Sequence, residues 1–138
     1  MLILDTNVLS ALRRPERSPQ VHAWLSHQDE AALYLSVITL GEIERGIVRQ
    51  DSVNPAFAQD LREWIARTVT LFSDRLLPFG AAEARIWGQL SAQIGHNGAD
   101  LLIAATAIAH DAIVVTGNVA DFAPSGCRIL NPFGEPSA

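Results

Sequence analysis

The chain has 138 residues, of which 49% are hydrophobic and 18% charged, so it can bury a core, and a disordered or fibrous chain is excluded. Its ten basic residues are all arginine, and the lack of lysine excludes P-loop nucleotide binding, Schiff-base chemistry and protein kinase activity. Its formal net charge is −5, so binding to nucleic acid would need local arginine clusters, bound cations or a basic partner.

Short apolar runs alternate with segments of helical periodicity along the chain. In chain order, we predict a strand at 2–4, a helix at 8–13, a helix that starts at Ser18-Pro19, a strand at 33–36, a helix at 40–50, a helix that starts at Asn54-Pro55, a short strand at 71–72, helices at 81–94 and 100–110, and strands at 112–116 and 128–130. The strands lack polar alternation, which is typical of a parallel sheet covered by helices on both faces. We therefore predict an α/β protein with a single domain.

The same sequence predicts a cytoplasmic protein with no membrane contact. No apolar run approaches the roughly 18 residues that a membrane helix needs. The first strand follows Met1 directly, and we expect no signal peptide. The single cysteine, Cys127, excludes an internal disulfide or a zinc ribbon.

Three acids stand at the ends or starts of hydrophobic segments. Asp5 ends the first predicted strand, Glu42 lies in the first turn of the helix after the second strand, and Asp100 opens an apolar helix. Asn118 and Asp121 follow the strand after that helix. In a parallel sheet most of these positions fall on the carboxyl edge, where such folds bind their ligands.

Each acid also has a purely structural interpretation. Asp5 or Thr6 could cap the next helix through an Asx-type turn. Thr39 and Glu42 have the spacing of a capping box, and Asp100 could be an ordinary first-turn acid. Caps do not require three helix starts to meet on one sheet edge, so the joint placement favours a functional site.

Close carboxylates also have a definite chemistry. They repel one another and stay ionised together at pH 7 only if cations lie between them. Oxygen ligands of this kind suit Mg²⁺ or Mn²⁺. Such ions can bridge a phosphodiester, polarise it and lower the pKa of a bound water. No serine, histidine or lysine nucleophile is then needed.

Four segments resemble the sequence blocks of PIN-domain ribonucleases: residues 1–10 (MLILDTNVLS), 35–46 (LSVITLGEIERG), 100–107 (DLLIAATA) and 114–122 (VVTGNVADF). Their order and spacing run through nearly the whole chain and end at LNPF, residues 130–133. Among PIN proteins the chain is most similar to VapC/FitB-type toxins of bacterial toxin–antitoxin pairs. The resemblance implies one PIN domain over residues 1–138, with a three-layer α/β/α sandwich and a central parallel sheet of four to five strands.

The resemblance also implies a metal site. Asp5, Glu42 and Asp100 match the family's acids that bind Mg²⁺ or Mn²⁺. Asn118 stands where many relatives carry a fourth aspartate, which leaves open whether one or two metals bind. Asp121, three residues on, could take part in its place, or it could cap the turn that follows.

Substrate contacts are predicted from polar side chains near these acids. Thr6, Asn7 and Thr116 could contact the acids or a phosphate, or they could bond the backbone at strand ends. Arg45 and Arg49 share the helix face of the second acid, and a guanidinium group suits phosphate recognition. For each arginine, a solvated surface position is the alternative.

Two further features bear on RNA binding. Arg13, Arg14 and Arg17 cluster after the first strand, and Gly117 stands where many relatives carry an arginine, so one phosphate contact is missing. The tryptophans lie on apolar helix stripes and are interpreted as core or interface residues. No catalytic role is expected for the histidines, which lack metal-ligand spacing: His22, His27, His96 and His110.

The function that the resemblance implies is a toxin. It would be a metal-dependent endoribonuclease in which a metal-activated water attacks the RNA phosphorus and leaves 5′-phosphate and 3′-hydroxyl ends. It would form a homodimer, bind a small VapB/FitA-like antitoxin in a groove, and meet DNA only through that antitoxin.

Two other functions stay open. The chain could be a catalytically weak module that acts as the co-repressor half of a DNA-bound toxin–antitoxin complex, an idea motivated by Asn118 and the low positive charge. Aspartyl-phosphate chemistry at Asp5 is a third idea, although such enzymes use a lysine near the phosphate and this chain has none.

Overall fold

The computed structural model describes residues 1–134. Its five strands form a single parallel sheet in the order β3-β2-β1-β4-β5. The strands are β1 (Leu2–Leu4), β2 (Leu33–Ser36), β3 (Leu76–Leu77), β4 (Ile113–Val115) and β5 (Arg128–Leu130). In register, Ile3 of β1 pairs with Tyr34 of β2 on one side and with Val114 of β4 on the other.

Seven helices cover the sheet. They are α1 (Thr6–Arg13), α2 (Pro19–Ser26), α3 (Val37–Asp51), α4 (Pro55–Leu71), α5 (Ala81–Ile94), α6 (Ala99–Ala109) and α7 (Val119–Phe122), with short 3-10 turns at Pro15–Arg17, Glu30–Ala32 and Ala123–Ser125. Among residues 1–134, no helix is long and apolar enough to cross a membrane.

Two hydrophobic cores lie on opposite faces of the sheet. Because side chains alternate along a strand, Leu4 points to the core formed with α1–α4, and Ile3 points to the core formed with α6 and α7. The middle of α6 is buried on almost every side, as its Ala-rich apolar sequence predicts. The predicted three-layer α/β/α sandwich, with a parallel sheet of up to five strands, is confirmed.

Some predicted boundaries are wrong. Residues 71–72 do not form a strand, because Leu71 ends α4 and Phe72 caps it, and the strand β3 lies a few residues later. Helix α1 starts at Thr6, directly after Asp5, and α3 starts at Val37 rather than near residue 40. The helix start at Asn54-Pro55 is confirmed, since the Asn54 side chain accepts a hydrogen bond from Phe57 N.

Phe133 lies against Gly117 at the end of β4. A Cβ atom at Gly117 would be 2.9 Å from Cδ2 of Phe133, closer than real Cβ atoms approach other atoms. The ring cannot easily move away, because Phe133 packs on the core and its carbonyl accepts a hydrogen bond of 2.8 Å from Gln20 Nε2. Because of this ring, only glycine fits at position 117.

We expect Gly117→Ala to lower the free energy of unfolding by about 1–3 kcal/mol, the usual cost of overpacking a well-packed position. Gly46→Ala is the control, because a Cβ at Gly46, on an exposed face of α3, meets no atom within 4 Å. That control should raise stability by about 0.5–1 kcal/mol, since alanine favours a helix over glycine. Urea denaturation measures both values, and equal stabilities of Gly117→Ala and the parent chain would contradict the packing described.

Candidate metal and nucleic-acid site

The carboxyl edge of the sheet collects most of the predicted polar residues. Asp5 directly follows β1 and Thr116 directly follows β4, the strand beside it. Glu42 lies on α3, which follows β2, and Asp100 lies in the first turn of α6. The parallel order of the sheet brings these segments to one place, as the sequence predicts.

Asp5 is the buried centre of this site. Its side chain is only 4% exposed, and it is the N-cap of α1. One carboxylate oxygen accepts a hydrogen bond of 2.8 Å from Thr6 N, and the other accepts one of 2.7 Å from the Thr116 hydroxyl. Asp5 therefore caps α1 and is also a carboxylate fixed in one orientation. Its structural role as a cap does not exclude a role in a functional site.

Thr116 and Asn7 form the support behind Asp5. The Thr116 hydroxyl accepts hydrogen bonds from Asn118 N, at 3.0 Å, and from Asn7 Nδ2, at 3.3 Å. The amide oxygen of Asn7 in turn accepts a hydrogen bond of 3.2 Å from Gly117 N. The two side chains thus connect α1 to the segment after β4.

Glu42 is not part of a capping box. The cap of α3 is Ser36, whose hydroxyl accepts a hydrogen bond of 3.0 Å from Ile38 N, and Glu42 lies beyond the first turn. Its carboxylate instead accepts a hydrogen bond of 3.3 Å from the Thr6 hydroxyl. The predicted Thr39–Glu42 box is wrong because the helix starts earlier, and Glu42 is directed toward the acid site.

The acids influence one another electrostatically. Burial, then the charges of Asp5 and Asp100, raises the pKa of Glu42, although the Thr6 hydrogen bond and Arg45 oppose the shift. Burial, then the charge of Asp5, raises the pKa of Asp100. Repulsion of this kind is the condition that a cation relieves.

The oxygen donors of the site fit a hard cation, but the acids are not arranged closely enough to enclose one. Asp5, Glu42 and Asp100 offer carboxylate oxygens, which Mg²⁺ and Mn²⁺ prefer. Within residues 1–134, however, no three acid, histidine or cysteine side chains stand close enough together to hold a metal ion as placed. The three acids share one electrostatic environment without forming a preformed cage.

Asn118 and Asp121 differ in their relation to this group. The Asn118 side chain is exposed, and only its backbone N bonds within the site, to Thr116. Asp121, on α7, is exposed as well, but its negative charge contributes to the raised pKa of Asp100. Asp121 therefore acts on the acids through its charge, whereas Asn118 contributes a backbone hydrogen bond.

The two arginines predicted on the face of Glu42 also differ. Arg45 is exposed, and its positive charge partly opposes the raised pKa of Glu42. Arg49 lies in the last turn of α3, and in the described part of the chain no hydrogen bond or ion pair joins it to an acid. Only Arg45 is placed to meet a ligand at the acids.

His96 lies near the acids, although the sequence interpretation gave it no role. Its positive form would lower the pKa of Asp100, and its Nδ1 accepts a hydrogen bond of 3.2 Å from Gly98 N, which holds the ring near the start of α6. The signal available was its position four residues before Asp100 in a glycine-containing loop. Metal-ligand spacing alone could not find it.

The comparisons with known proteins agree with this architecture. The PIN domain family matches residues 2–122. The chain is 35% identical to "VapC ribonuclease Y4jK" of Sinorhizobium fredii, over 99% of this chain and 100% of that protein. It is 33% identical to "Toxin FitB" of Neisseria gonorrhoeae, over 98% of this chain and 100% of that protein.

A solved structure described as FitAB bound to an IR36 DNA fragment is also similar. It superposes with a TM-score of 0.83 at 32% identity, over 99% of each chain. The chain therefore belongs to the PIN domain family and is of the VapC/FitB type.

We expect Thr116→Val to destabilise the fold by about 1–3 kcal/mol at pH 7, because the buried carboxylate of Asp5 loses a hydrogen-bond donor. Thr106→Val is the matched control, since Thr106 is equally buried but its hydroxyl bonds only the Leu102 carbonyl within α6. The control should change stability by less than about 0.5 kcal/mol, because such back-bonding contributes little. Chemical denaturation measures both, and equal losses in the two variants would overturn the special role of Thr116.

We expect Asp100→Asn to stabilise the metal-free protein at pH 7. A carboxyl whose pKa is raised on folding binds its proton more tightly in the folded state, so folding loses stability as pH rises through the unfolded pKa, about 3.9 for aspartate. Asparagine carries no charge, so the variant avoids this loss. The gain should be at most about 1 kcal/mol, because solvent screens the charge of a half-exposed carboxylate.

Urea denaturation in EDTA at pH 7 and pH 4 tests this expectation. The gain should be present at pH 7 and should shrink toward pH 4, where about half of the unfolded parent chains and a larger share of the folded ones hold the proton. A variant less stable than the parent at pH 7 would show that Asp100 stabilises the fold rather than the site.

Proposed function

We propose that this chain is a Mg²⁺- or Mn²⁺-dependent endoribonuclease and the toxin of a toxin–antitoxin pair. The observation that carries the proposal is the convergence of Asp5, Glu42 and Asp100 on one edge of the sheet, where burial and mutual repulsion raise the pKa of Glu42 and Asp100. Its relatives named VapC ribonuclease and Toxin FitB support the same function.

In this proposal Asp5, Glu42 and Asp100 hold the metal. When bound, Mg²⁺ or Mn²⁺ supplies polarisation of the phosphodiester, a more acidic water and stabilisation of the charge on the leaving oxygen. Asp121 is the additional acid that the site offers in place of a fourth aspartate at Asn118.

The other residues position these acids and the substrate. The Thr116 hydroxyl and Thr6 N fix both oxygens of Asp5, so its orientation does not depend on a ligand. The Thr6 hydroxyl directs Glu42 toward Asp5. Arg45 is exposed beside Glu42 and is placed to bind a phosphate of the RNA, with Thr6, Asn7 and Thr116 as further polar contacts.

The proposal includes an antitoxin partner and a homodimer. The similar FitAB structure is bound to a DNA fragment, which supports a partner protein that carries the DNA contacts. A chain with a net charge of −5 suits a basic, DNA-binding partner. Exposed apolar side chains on α4 and the α3–α4 turn, among them Val53 at 77% exposure and Leu71 at 58%, offer surface for such contacts.

A catalytically weak co-repressor module is the second candidate. Two observations favour it: the acids form no closed ligand group within residues 1–134, and Asn118 lacks a carboxylate. In that case the complex with its antitoxin would bind operator DNA, and the chain would cleave no RNA.

The first test is cleavage of total cellular RNA with Mg²⁺, with Mn²⁺ and with EDTA. We expect cleavage with either metal, no cleavage with EDTA, and 5′-phosphate ends on the products. Asp5→Asn should lower the rate at least about 100-fold, equivalent to roughly 2.7 kcal/mol of lost transition-state stabilisation.

Asp111→Asn is the control for this substitution. Asp111 is exposed, precedes β4 and so lies at the edge of the sheet opposite the acids, and has a φ of 52°, a conformation that asparagine adopts readily. Full activity of Asp5→Asn, or the same activity in EDTA as with metal, would contradict the proposal. Operator binding by the antitoxin complex without cleavage of any RNA would favour the co-repressor module.

Calorimetric titration of Mn²⁺ into metal-free protein locates the cation independently of activity. We expect binding to the parent chain and to Asp111→Asn, and weak or no binding to Asp100→Asn. Equal binding by Asp100→Asn would remove Asp100 from the metal site.

A further inference from the structure

A basic surface pocket lies beside the acid site. It has a volume of about 220 Å³ and lies where α1 and the 3-10 turn after it meet the start of α2. Its polar lining consists of Asn7, Ser10, Arg13, Arg14, Arg17 and Ser18. Every residue that lines the pocket is neutral or basic. We call it the α1–α2 pocket.

The three arginines of the α1–α2 pocket form no ion pair among the residues that the structure describes. In residues 1–134, carboxylates pair with Arg62, Arg75 and Arg128, whereas no ion pair or side-chain hydrogen bond involves Arg13, Arg14 or Arg17. A group of three positive charges that is only partly compensated is unfavourable in the free protein and attracts an anion.

Arg13 lies within the repulsion of the two other arginines. Burial, then the charges of Arg14 and Arg17, lowers the pKa of Arg13, and the carboxylates of Asp60 and Glu16 offset this only in part.

The three arginines differ in how free they are to bind a ligand. The guanidinium carbon of Arg13 lies 5.2 Å from the ring centre of Phe57 and 6.0 Å from that of Trp64, so Arg13 is engaged by α4. Arg14 precedes the 3-10 turn and Arg17 ends it, and both line the α1–α2 pocket. These two are therefore free to converge on one ligand.

Asn7 connects the pocket to the acid site. Its amide lines the α1–α2 pocket and also donates to Thr116, whose hydroxyl donates to Asp5. Helix α1, which runs from the acids to the arginines, has eight residues and is thus about 12 Å long. An anion in the pocket would lie within the reach of one short stretch of an RNA strand bound at Asp5.

We propose that the α1–α2 pocket binds a backbone phosphate of the RNA strand that flanks the cleaved bond, with Arg14 and Arg17 as its ligands. This inference rests on the proposed ribonuclease function. Guanidinium groups bind phosphate oxygens in a bidentate fork, and Ser10 and Ser18 add hydroxyl donors to the same pocket. The continuity with the acid site through Asn7 favours RNA over an acidic segment of a protein partner.

The test is the double substitution Arg14→Gln/Arg17→Gln in the full chain. Binding of a fluorescent single-stranded RNA oligonucleotide is measured by anisotropy in EDTA, where no cleavage interferes, over a range of salt concentrations. We expect Kd to rise about tenfold and the slope of log K against log salt to fall by about 0.7, the contribution of one phosphate on a single strand. In the cleavage assay KM should rise while kcat changes little.

Arg67→Gln/Arg85→Gln is the matched control. Both residues are exposed helix positions, on α4 and α5, and the pair changes the net charge by the same amount. RNA binding by this control should stay within about twofold of the parent chain if binding depends on the pocket rather than on total charge. Thermal unfolding checks the fold: the pocket variant should be at least as stable as the parent, because like charges are removed.

The outcomes separate this inference from the function on which it rests. Unchanged RNA binding by the pocket variant, an equal loss in the control, or no RNA binding by the parent chain would each overturn the pocket assignment. Loss of binding to a hexaglutamate peptide with RNA binding unchanged would overturn it in favour of an acidic protein segment. Weaker RNA binding by the pocket variant, in a parent chain that cleaves no RNA, would support the pocket and refute the ribonuclease.

Discussion

One hydrogen bond, from the Thr116 hydroxyl to the carboxylate of Asp5, joins the carboxyl ends of the central strand β1 and its neighbour β4. A buried carboxylate is stable only when its oxygens are satisfied, and the second oxygen is satisfied by the backbone at the start of α1. Asp5 thus caps α1 with one oxygen and is held to β4 by the other. It also fixes Asn7, which reaches from α1 to the segment after β4. The remaining acids are arranged around a centre that is already rigid.

That arrangement collects negative charge at a cost to the fold. Glu42 and Asp100 are held where burial and neighbouring charge oppose their ionisation, and a short distance away three arginines repel one another. Neither group improves the stability of the free protein. In the functions proposed above, a cation at the acids and a phosphate at the arginines would make both favourable. In a complex with RNA and metal, the metal ion would thus reduce the repulsion among the acids, and an RNA phosphate would reduce the repulsion among the arginines.

The sequence predicted the architecture and the placement of the three acids at one sheet edge, because both depend on patterns that can be seen in the sequence itself. Parallel strands are apolar throughout, and their carboxyl ends must meet at one edge. The misplaced strand at residues 71–72 shows the limit, since Leu71 and Phe72 end a helix with the same apolar residues that a short buried strand would use. Likewise, Thr39 and Glu42 have the spacing of a capping box, but α3 starts earlier with Ser36 as its cap, and Glu42 bonds Thr6, 36 residues away in sequence.

The contact between Phe133 and Gly117 links the end of the chain to the site across 16 residues of sequence. Its consequence is that the two positions cannot change independently. An arginine at position 117 becomes possible only after the ring at position 133 is replaced by something smaller, whereas a smaller residue at position 133 can come first and leave an empty space.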